Sequence, residues 1–99
     1  MIKHIVMWRF KAGTEEQMHN FLAGLEGLRS VIPQIRSMEI GINCTEAPAG
    51  KPGNYDAVLV TTFDSQEDLD AYKNDPRHVK VSSMCKEIRE DRACVDYIV

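Results

Sequence analysis

The chain has 99 residues, 43% of them hydrophobic and 27% charged, with a formal net charge of −3 at neutral pH. A chain of this length and composition is typical of one small globular domain, so we expect a single domain over residues 1–99. Twelve Lys and Arg residues are outnumbered by 15 Asp and Glu residues, and no basic cluster suited to phosphates is present, which disfavours nucleic-acid binding. The apolar runs are too short to span a bilayer, and the N-terminal segment lacks the pattern of a signal peptide, so no membrane partner is expected.

The cysteines and histidines are scattered along the chain. Cys44, Cys85 and Cys94 are odd in number and lack CxxC spacing, which predicts an intracellular, cytoplasmic protein with reduced thiols. We expect these thiols to act as small hydrophobic groups in or near the core. Three histidines without metal-ligand spacing predict no metal site, and nothing in the sequence requires a cofactor.

Residues 2–10 are predicted to form the first strand, because Ile, Val, Trp and Phe are enriched there. Alternation places Ile2, His4, Val6, Trp8 and Phe10 on one face, and Lys3, Ile5, Met7 and Arg9 on the other. Both faces carry large apolar residues. The pattern therefore predicts a central strand that is buried on both sides.

A helix follows, with Thr14 and Gln17 in the positions of a capping box. Apolar residues at steps of three and four predict its buried stripe, namely Met18, Phe21, Leu22, Leu25, Leu28 and Ile32. Pro33 disfavours the helical conformation of the residue before it and is predicted to end the helix.

The middle of the chain alternates between strand and loop patterns. The sequence predicts a strand, a Pro- and Gly-rich loop and a third strand, over residues 36–44, 45–54 and 55–63.

Two further helices and a last strand complete the chain. Asp64 or Ser65 is predicted to cap a helix that Asp75-Pro76 ends. Proline is favoured in the first turn of a helix, so another helix should begin at Pro76 with Asp75 as its cap. Residues 93–99 are predicted as the fourth strand.

This order, β-α-β-β-α-(α)-β, predicts a ferredoxin-like α+β fold with a four-stranded antiparallel sheet and its helices on one face. The first strand is apolar on both faces, whereas helices cover only one of them. The second face must be buried by another chain or by a ligand, so we expect a homodimer through the open face of the sheet.

Tyr72 and His78 are candidate site residues. Six positions apart on one helix they would point to different sides, but a break at Pro76 lets both face one cavity. His78 would lie in the first turn of the new helix, where the positive end of the helix dipole disfavours imidazolium and favours a neutral base. His4 lies among apolar neighbours, where a histidine needs a polar partner.

The first strand, the Tyr-x-x-x-x-Pro-x-His stretch formed by Tyr72, Pro76 and His78, and the closing residues 95–99 resemble the stress-responsive dimeric α/β-barrel (Dabb) family, in particular its plant polyketide cyclases. The resemblance covers essentially the whole chain. It implies a dimeric α/β barrel with a pocket between each sheet and its helices.

The resemblance also implies roles for the candidate residues. His78 would abstract a proton from an activated carbon, and Tyr72 would hydrogen-bond a substrate carbonyl and stabilise the developing enolate. His4 would orient the substrate or a neighbouring side chain. Trp8, on the same face as His4, would form part of the core or the wall of the substrate pocket.

Plainer interpretations stand beside these. His4 is also consistent with a core histidine bonded to a backbone carbonyl, Tyr72 with a packing residue and His78 with an exposed first-turn residue. At the level of function, three hypotheses remain open. They are a cofactor-independent lyase, cyclase or isomerase acting on a carbonyl compound, a non-catalytic ligand-binding dimer, and haem-binding or monooxygenase chemistry, which the wider superfamily includes.

Overall fold

The computed structural model describes residues 1–50 and 53–99. Within them the elements are β1 (Ile2–Phe10), α1 (Glu15–Leu28), β2 (Ser37–Ile42), β3 (Ala57–Phe63), α2 (Gln66–Asn74), α3 (Pro76–Lys86) and β4 (Arg89–Ile98). The predicted loop over residues 45–54 separates β2 from β3, and its residues 51 and 52 lie outside the described residues.

The four strands form one antiparallel sheet in the order β2-β3-β1-β4. β1 is central, as predicted, and its register places His4 opposite Thr61 of β3 and opposite Asp96 of β4. The element order and the sheet confirm the predicted ferredoxin-like α+β fold. Directly opposed residues point to the same side of a sheet, so Asp96 and His4 share a face.

The core lies between the helices and the His4 side of the sheet. Val6, Trp8 and Phe10 alternate into it from β1 and are at least 92% buried. The stripe of α1 packs against them, with the rings of Trp8 and Phe21 edge to face at 5.1 Å between centroids. Burial of this kind of apolar surface contributes roughly 25 cal/mol per Å² and is the main source of stability.

The opposite face of the sheet is apolar and more open. Ile5, Met7 and Val60 are half-buried, and Val95 and Tyr97 on β4 are 53% and 41% exposed. Among the described elements, the three helices lie on the other side. In one chain, therefore, only the helix side of β1 reaches the full burial that its sequence pattern predicts.

Two expectations about α1 are wrong. The Thr14 hydroxyl donates to the backbone carbonyl of Lys11 at 2.6 Å, instead of accepting from a helix N–H as a capping box requires. The preceding residue, Gly13, has φ of +79°, and this tight turn brings the Lys11 carbonyl within reach of the hydroxyl. The helix ends at Leu28, where the chain tightens as Val31 and Ile32 both donate to the Leu28 carbonyl. Pro33 is not what stops it.

The boundary between α2 and α3 agrees with the prediction. The Ser65 hydroxyl accepts from the N–H of Asp68 at 3.2 Å and caps α2. Asp75 ends α2 and caps α3, because its carboxylate accepts from the N–H of Arg77 at 2.8 Å. Pro76 is the first residue of α3.

The fourth strand starts at Arg89 rather than at residue 93. Residues 89–92 are all charged, so they lack the apolar alternation that marked the rest of the strand. The expectation about the thiols holds for Cys85, which is buried, and is wrong for Cys44 and Cys94, which are exposed. Cys44 follows β2, and Cys94 lies on the edge strand β4.

None of the helices among the described residues has the length and hydropathy needed to cross a bilayer.

The different roles of Ser65 and Thr14 predict different effects of alanine. Ser65→Ala removes a helix cap and should lower the free energy of unfolding by about 1 kcal/mol. Thr14→Ala is the matched control and should cost less than about 0.5 kcal/mol, because its hydroxyl bonds an exposed turn. Urea unfolding followed by circular dichroism measures both. Equal losses would contradict the assignment of the two caps.

Candidate functional site

A cavity of about 270 Å³ lies between the helix side of the sheet and the α2-α3 corner. Its lining residues are His4, Val6, Trp8, Phe21, Leu59, Tyr72, Lys73, His78, Ser82, Cys85, Arg89 and Arg92. The four residues singled out in the sequence, His4, Trp8, Tyr72 and His78, therefore meet at one cavity. Its volume is slightly below the roughly 300–1,000 Å³ of small-molecule sites.

The break at Pro76 brings Tyr72 and His78 together. Tyr72 lies in the last turns of α2 and His78 in the first turn of α3, and their ring centroids are 4.3 Å apart. The break also frees a backbone acceptor. In a continuous helix the carbonyl of Lys73 would accept from the N–H of Arg77, but that N–H donates to Asp75 instead.

The freed carbonyl fixes the tautomer of His78. Nδ1 of His78 lies 3.2 Å from the carbonyl oxygen of Lys73. A carbonyl oxygen only accepts, so Nδ1 carries the proton and donates it. Burial lowers the pKa of His78 below its ordinary value of 6.5. The hydrogen bond to Lys73 and the charge of Asp75 oppose this effect, whereas His4 and Arg92 add to it. At neutral pH the ring is uncharged, and Nε2 is its unprotonated nitrogen, which is the form a general base requires.

Tyr72 offers a buried hydrogen-bond donor, its hydroxyl, beside the cavity. Its side chain is fully buried, and within residues 1–50 and 53–99 its hydroxyl has no hydrogen-bond partner. Burial raises its pKa to about 12, so the hydroxyl keeps its proton at neutral pH. An unsatisfied buried hydroxyl costs about 1–3 kcal/mol, which a ligand oxygen in the cavity would recover.

His4 is held by Asp96, a residue that the sequence prediction missed. Nδ1 of His4 lies 2.5 Å from Oδ1 of Asp96. Burial lowers the pKa of His4 and outweighs the effect of this carboxylate, which would raise it. Burial alone would raise the pKa of Asp96, but the hydrogen bond from His4 and the charge of Lys73 lower it. We therefore describe the pair as neutral imidazole donating to ionised carboxylate.

Asp96 has a second partner in Lys73, whose Nζ lies 3.5 Å from Oδ2. The chain of contacts from His4 through Asp96 to Lys73 links β1, β4 and α2. Asp96 and Lys73 lie within the stretches that resemble the Dabb family, but neither was singled out as a site residue. The available signal was the pairing of β4 with β1, which places Asp96 beside His4 once the register is known.

His4, Asp96 and Cys94 also offer ligand atoms that lie within 4.8 Å of one another. Both Asp96 oxygens are engaged, one by His4 and one by Lys73. Burial raises the pKa of Cys94, which disfavours the thiolate that binds metals. A hydrogen-bond network is the better description of this cluster.

A larger and more open cleft of about 610 Å³ lies near the end of β1, beside the start of α1 and the β2-β3 loop. Among the residues that the structure describes, its lining includes neither a histidine nor a tyrosine. The smaller cavity holds His4, Tyr72 and His78, whose pKa values are shifted by burial, and the Tyr72 hydroxyl that lacks a hydrogen-bond partner among the described residues. We therefore take it as the candidate site.

The family model described as the stress responsive A/B barrel domain (Dabb) matches residues 2–99. The chain belongs to this family. The resemblance noted in the sequence is thereby confirmed.

Several relatives of this Dabb protein match over nearly their whole length. Olivetolic acid cyclase from Cannabis sativa is 27% identical over 97 residues, which are 97% of this chain and 94% of that protein. A dimeric ferredoxin-like protein of unknown function from Bacteroides fragilis is 32% identical, with a TM-score of 0.83, covering 99% of this chain and 95% of that one. Another from Thermobifida fusca is 26% identical, with a TM-score of 0.84 and coverage of 99% and 90%.

The His4–Asp96 contact predicts the titration of this Dabb protein. In Asp96→Asn the carboxylate that raises the pKa of His4 is gone, while burial still lowers it. The pKa of His4 should therefore fall further. Titration of the histidine ring signals by NMR measures the change, and the signals of the exposed His19 should be identical in the two proteins. A rise in the pKa of His4 would contradict the described pairing.

Proposed function

We propose that this protein binds a small carbonyl compound, aromatic or polyketide-like, and catalyses proton abstraction next to the carbonyl without a cofactor. The reaction class is that of a lyase, cyclase or isomerase. The observation that carries the proposal is the pair of rings 4.3 Å apart, one a neutral base and the other an unsatisfied donor. We also propose a cytoplasmic location.

The pair divides the chemistry between its members. The Tyr72 hydroxyl would donate a hydrogen bond to the substrate carbonyl oxygen. Nε2 of His78 would take the proton from the adjacent carbon, and the C–H bonding electrons would pass to the carbonyl oxygen to give an enolate. The enolate carbon would then attack a second carbonyl, expel a leaving group, or be reprotonated at another position by His78. Each course returns the base to its neutral form or releases the proton to water.

The remaining residues would position the substrate. Trp8 would form an apolar wall, since it is buried and lines the cavity. His4 would keep a fixed tautomer, because its Nδ1 donates to Asp96, and its other nitrogen would accept from a substrate hydroxyl. We therefore assign catalytic roles to His78 and Tyr72, and an orienting role to His4.

The similarity to olivetolic acid cyclase supports a cyclase-like reaction class, and at 27% identity it leaves the substrate open. A non-catalytic ligand-binding dimer is the alternative. It predicts binding in the same cavity without any proton exchange.

Proton abstraction can be tested with a simple aromatic ketone. Wild-type protein should accelerate the exchange of the α-protons of phenylacetone in D₂O, followed by NMR. His78→Ala and Tyr72→Phe should each reduce the protein-dependent exchange on the order of a hundredfold. Tyr72→Phe should leave stability unchanged or raised, because it removes an unsatisfied hydroxyl. His19→Ala, at an exposed position, is the matched control.

The exchange rate should also depend on pH in a defined direction. His78 acts as a base only when neutral, and burial lowers its pKa below 6.5. The rate should therefore be nearly constant around neutrality and fall as the pH drops through that lowered pKa. Equal exchange by wild type and His78→Ala at every pH would refute the proposed reaction.

We further propose that the chain forms a homodimer through the open face of its sheet. The apolar, incompletely buried residues on this face support the proposal, and the relatives from B. fragilis and T. fusca are described as dimeric. A second copy would bury the side of β1 that the helices leave uncovered.

Two valines with equal exposure test this interface. Val95, opposite Ile5 on the open face, and Val79, on α3, are both 53% exposed. Val95→Glu should shift the mass in sedimentation equilibrium from twice the 11.2 kDa of one chain towards a single chain, because it places a charge in an apolar contact. Val79→Glu should leave the dimer intact. Dissociation by Val79→Glu alone would place the interface on the helices instead.

A further inference from the structure

The charged residues that line the candidate cavity are cationic, although the chain as a whole is acidic. Three cationic side chains, Lys73, Arg89 and Arg92, contribute to its lining, against a net charge of −3 for the chain. Among the residues that the structure describes, no carboxylate lines the cavity. His4 and His78 are neutral near pH 7, because burial lowers both pKa values. The charged groups in the lining are therefore these three cations.

In the part of the chain that the structure describes, two of these three charges lack a counter-ion. Lys73 is offset by Asp96 at 3.5 Å. Within residues 1–50 and 53–99, neither Arg89 nor Arg92 lies within salt-bridge distance of a carboxylate. Each of the other four arginines does, in the pairs Arg9–Asp91, Arg29–Glu26, Arg36–Asp64 and Arg77–Asp75. The two unpaired guanidinium groups are thus the two that line the cavity.

The strand register explains how both arginines reach the site. Arg92 pairs with Trp8 and Arg89 with Phe10, so both arginines are opposite residues whose side chains enter the helix side of the sheet. A partner that covered the other face would leave them free. The charge of Arg92 also extends to the base, because after burial it is among the causes that lower the pKa of His78.

We propose that the cavity binds a small organic carboxylate, with its carboxylate group held by Arg89 and Arg92. Guanidinium groups suit this role, because their planar N–H fork matches the two oxygens of a carboxylate. The carbon skeleton lies against Trp8, and the cavity of about 270 Å³ limits it to a small molecule. The identity of the group that reacts rests on the proposed function, in which the substrate carries a carbonyl. A substrate with both a carboxylate and that carbonyl is a keto acid.

The reaction also benefits from this arrangement. Proton abstraction next to a carbonyl creates a negative charge on a molecule that already carries one. The two guanidinium groups offset the charge of the carboxylate group. The second negative charge, that of the enolate, therefore forms in surroundings that are net positive rather than net negative. Burial, with a smaller contribution from the charge of Arg92, lowers the pKa of both histidines and so favours their neutral forms.

The experiment uses matched pairs of ligands that differ only in charge. The pairs are acetate and acetamide, benzoate and benzamide, and phenylacetate and phenylacetamide. The chain contains one tryptophan, Trp8, and it lines the cavity, so its fluorescence reports binding directly. In at least one pair the carboxylate should bind about tenfold more tightly than the amide at low salt, since charged hydrogen bonds are stronger by about 1.4 kcal/mol.

Substitutions then test whether Arg89 and Arg92 are the side chains that bind the carboxylate. In the double variant R89Q/R92Q the preference for the carboxylate should fall to about twofold or less, whereas R92K should retain part of it. R29Q is the matched control, because Arg29 is exposed and paired with Glu26, and it should keep the full preference. The thermal midpoint of each free variant, measured without ligand, separates loss of binding from loss of fold.

The outcomes distinguish this inference from the proposed function. Carboxylate binding that depends on the two arginines, without α-proton exchange, would support the anion site and refute the catalysis. Exchange of phenylacetone without any preference for carboxylates would do the reverse. Equal binding of both members of every pair, no binding of any carboxylate, or an unchanged preference in R89Q/R92Q would overturn the anion site.

Discussion

The helix break at Asp75-Pro76 is the constraint on which the site depends. Pro76 has no N–H and cannot continue α2, and the Asp75 carboxylate takes up the N–H of Arg77. The carbonyl of Lys73 is released in this way, and Nδ1 of His78 donates to it. One local feature of the backbone therefore brings His78 against Tyr72 and also determines which imidazole nitrogen is free. A continuous helix would provide neither.

The second organising influence is burial, which acts on the two kinds of site residue in opposite ways. It lowers the pKa values of His4 and His78 and raises that of Tyr72 to about 12, because it disfavours every charged form. Burial thus favours the neutral form of all three side chains near pH 7. The charges at the cavity come instead from Lys73, Arg89 and Arg92.

The sequence predicted the fold and four of the lining residues for reasons that are local. The alternation in β1, the stripe of α1 and the Asp75-Pro76 signal each depend on neighbouring residues alone. Asp96, Arg89 and Arg92 could not be found in this way, because their position depends on how β4 pairs with β1 over its whole length. The four charged residues 89–92 lack the apolar alternation typical of a strand, so the sequence did not predict that β4 starts at Arg89. The capping box predicted at Thr14 is wrong because the turn at Gly13 brings a different acceptor, the backbone carbonyl of Lys11, within reach of the Thr14 hydroxyl. A capping pattern does not include this acceptor.

The alternation of β1 connects the proposed site with the proposed dimer. Its even-numbered residues, including His4 and Trp8, enter the cavity side, and its odd-numbered residues, including Ile5 and Met7, lie on the open face. A register shift of one residue would exchange the two sets and remove His4 from Asp96. The nine residues of β1 therefore contribute both to the cavity and to the open face of the sheet. The residues that line the cavity lie on the helix side of the sheet, so a partner on the open face would bury the other side of the same strand and stabilise the sheet that carries the site.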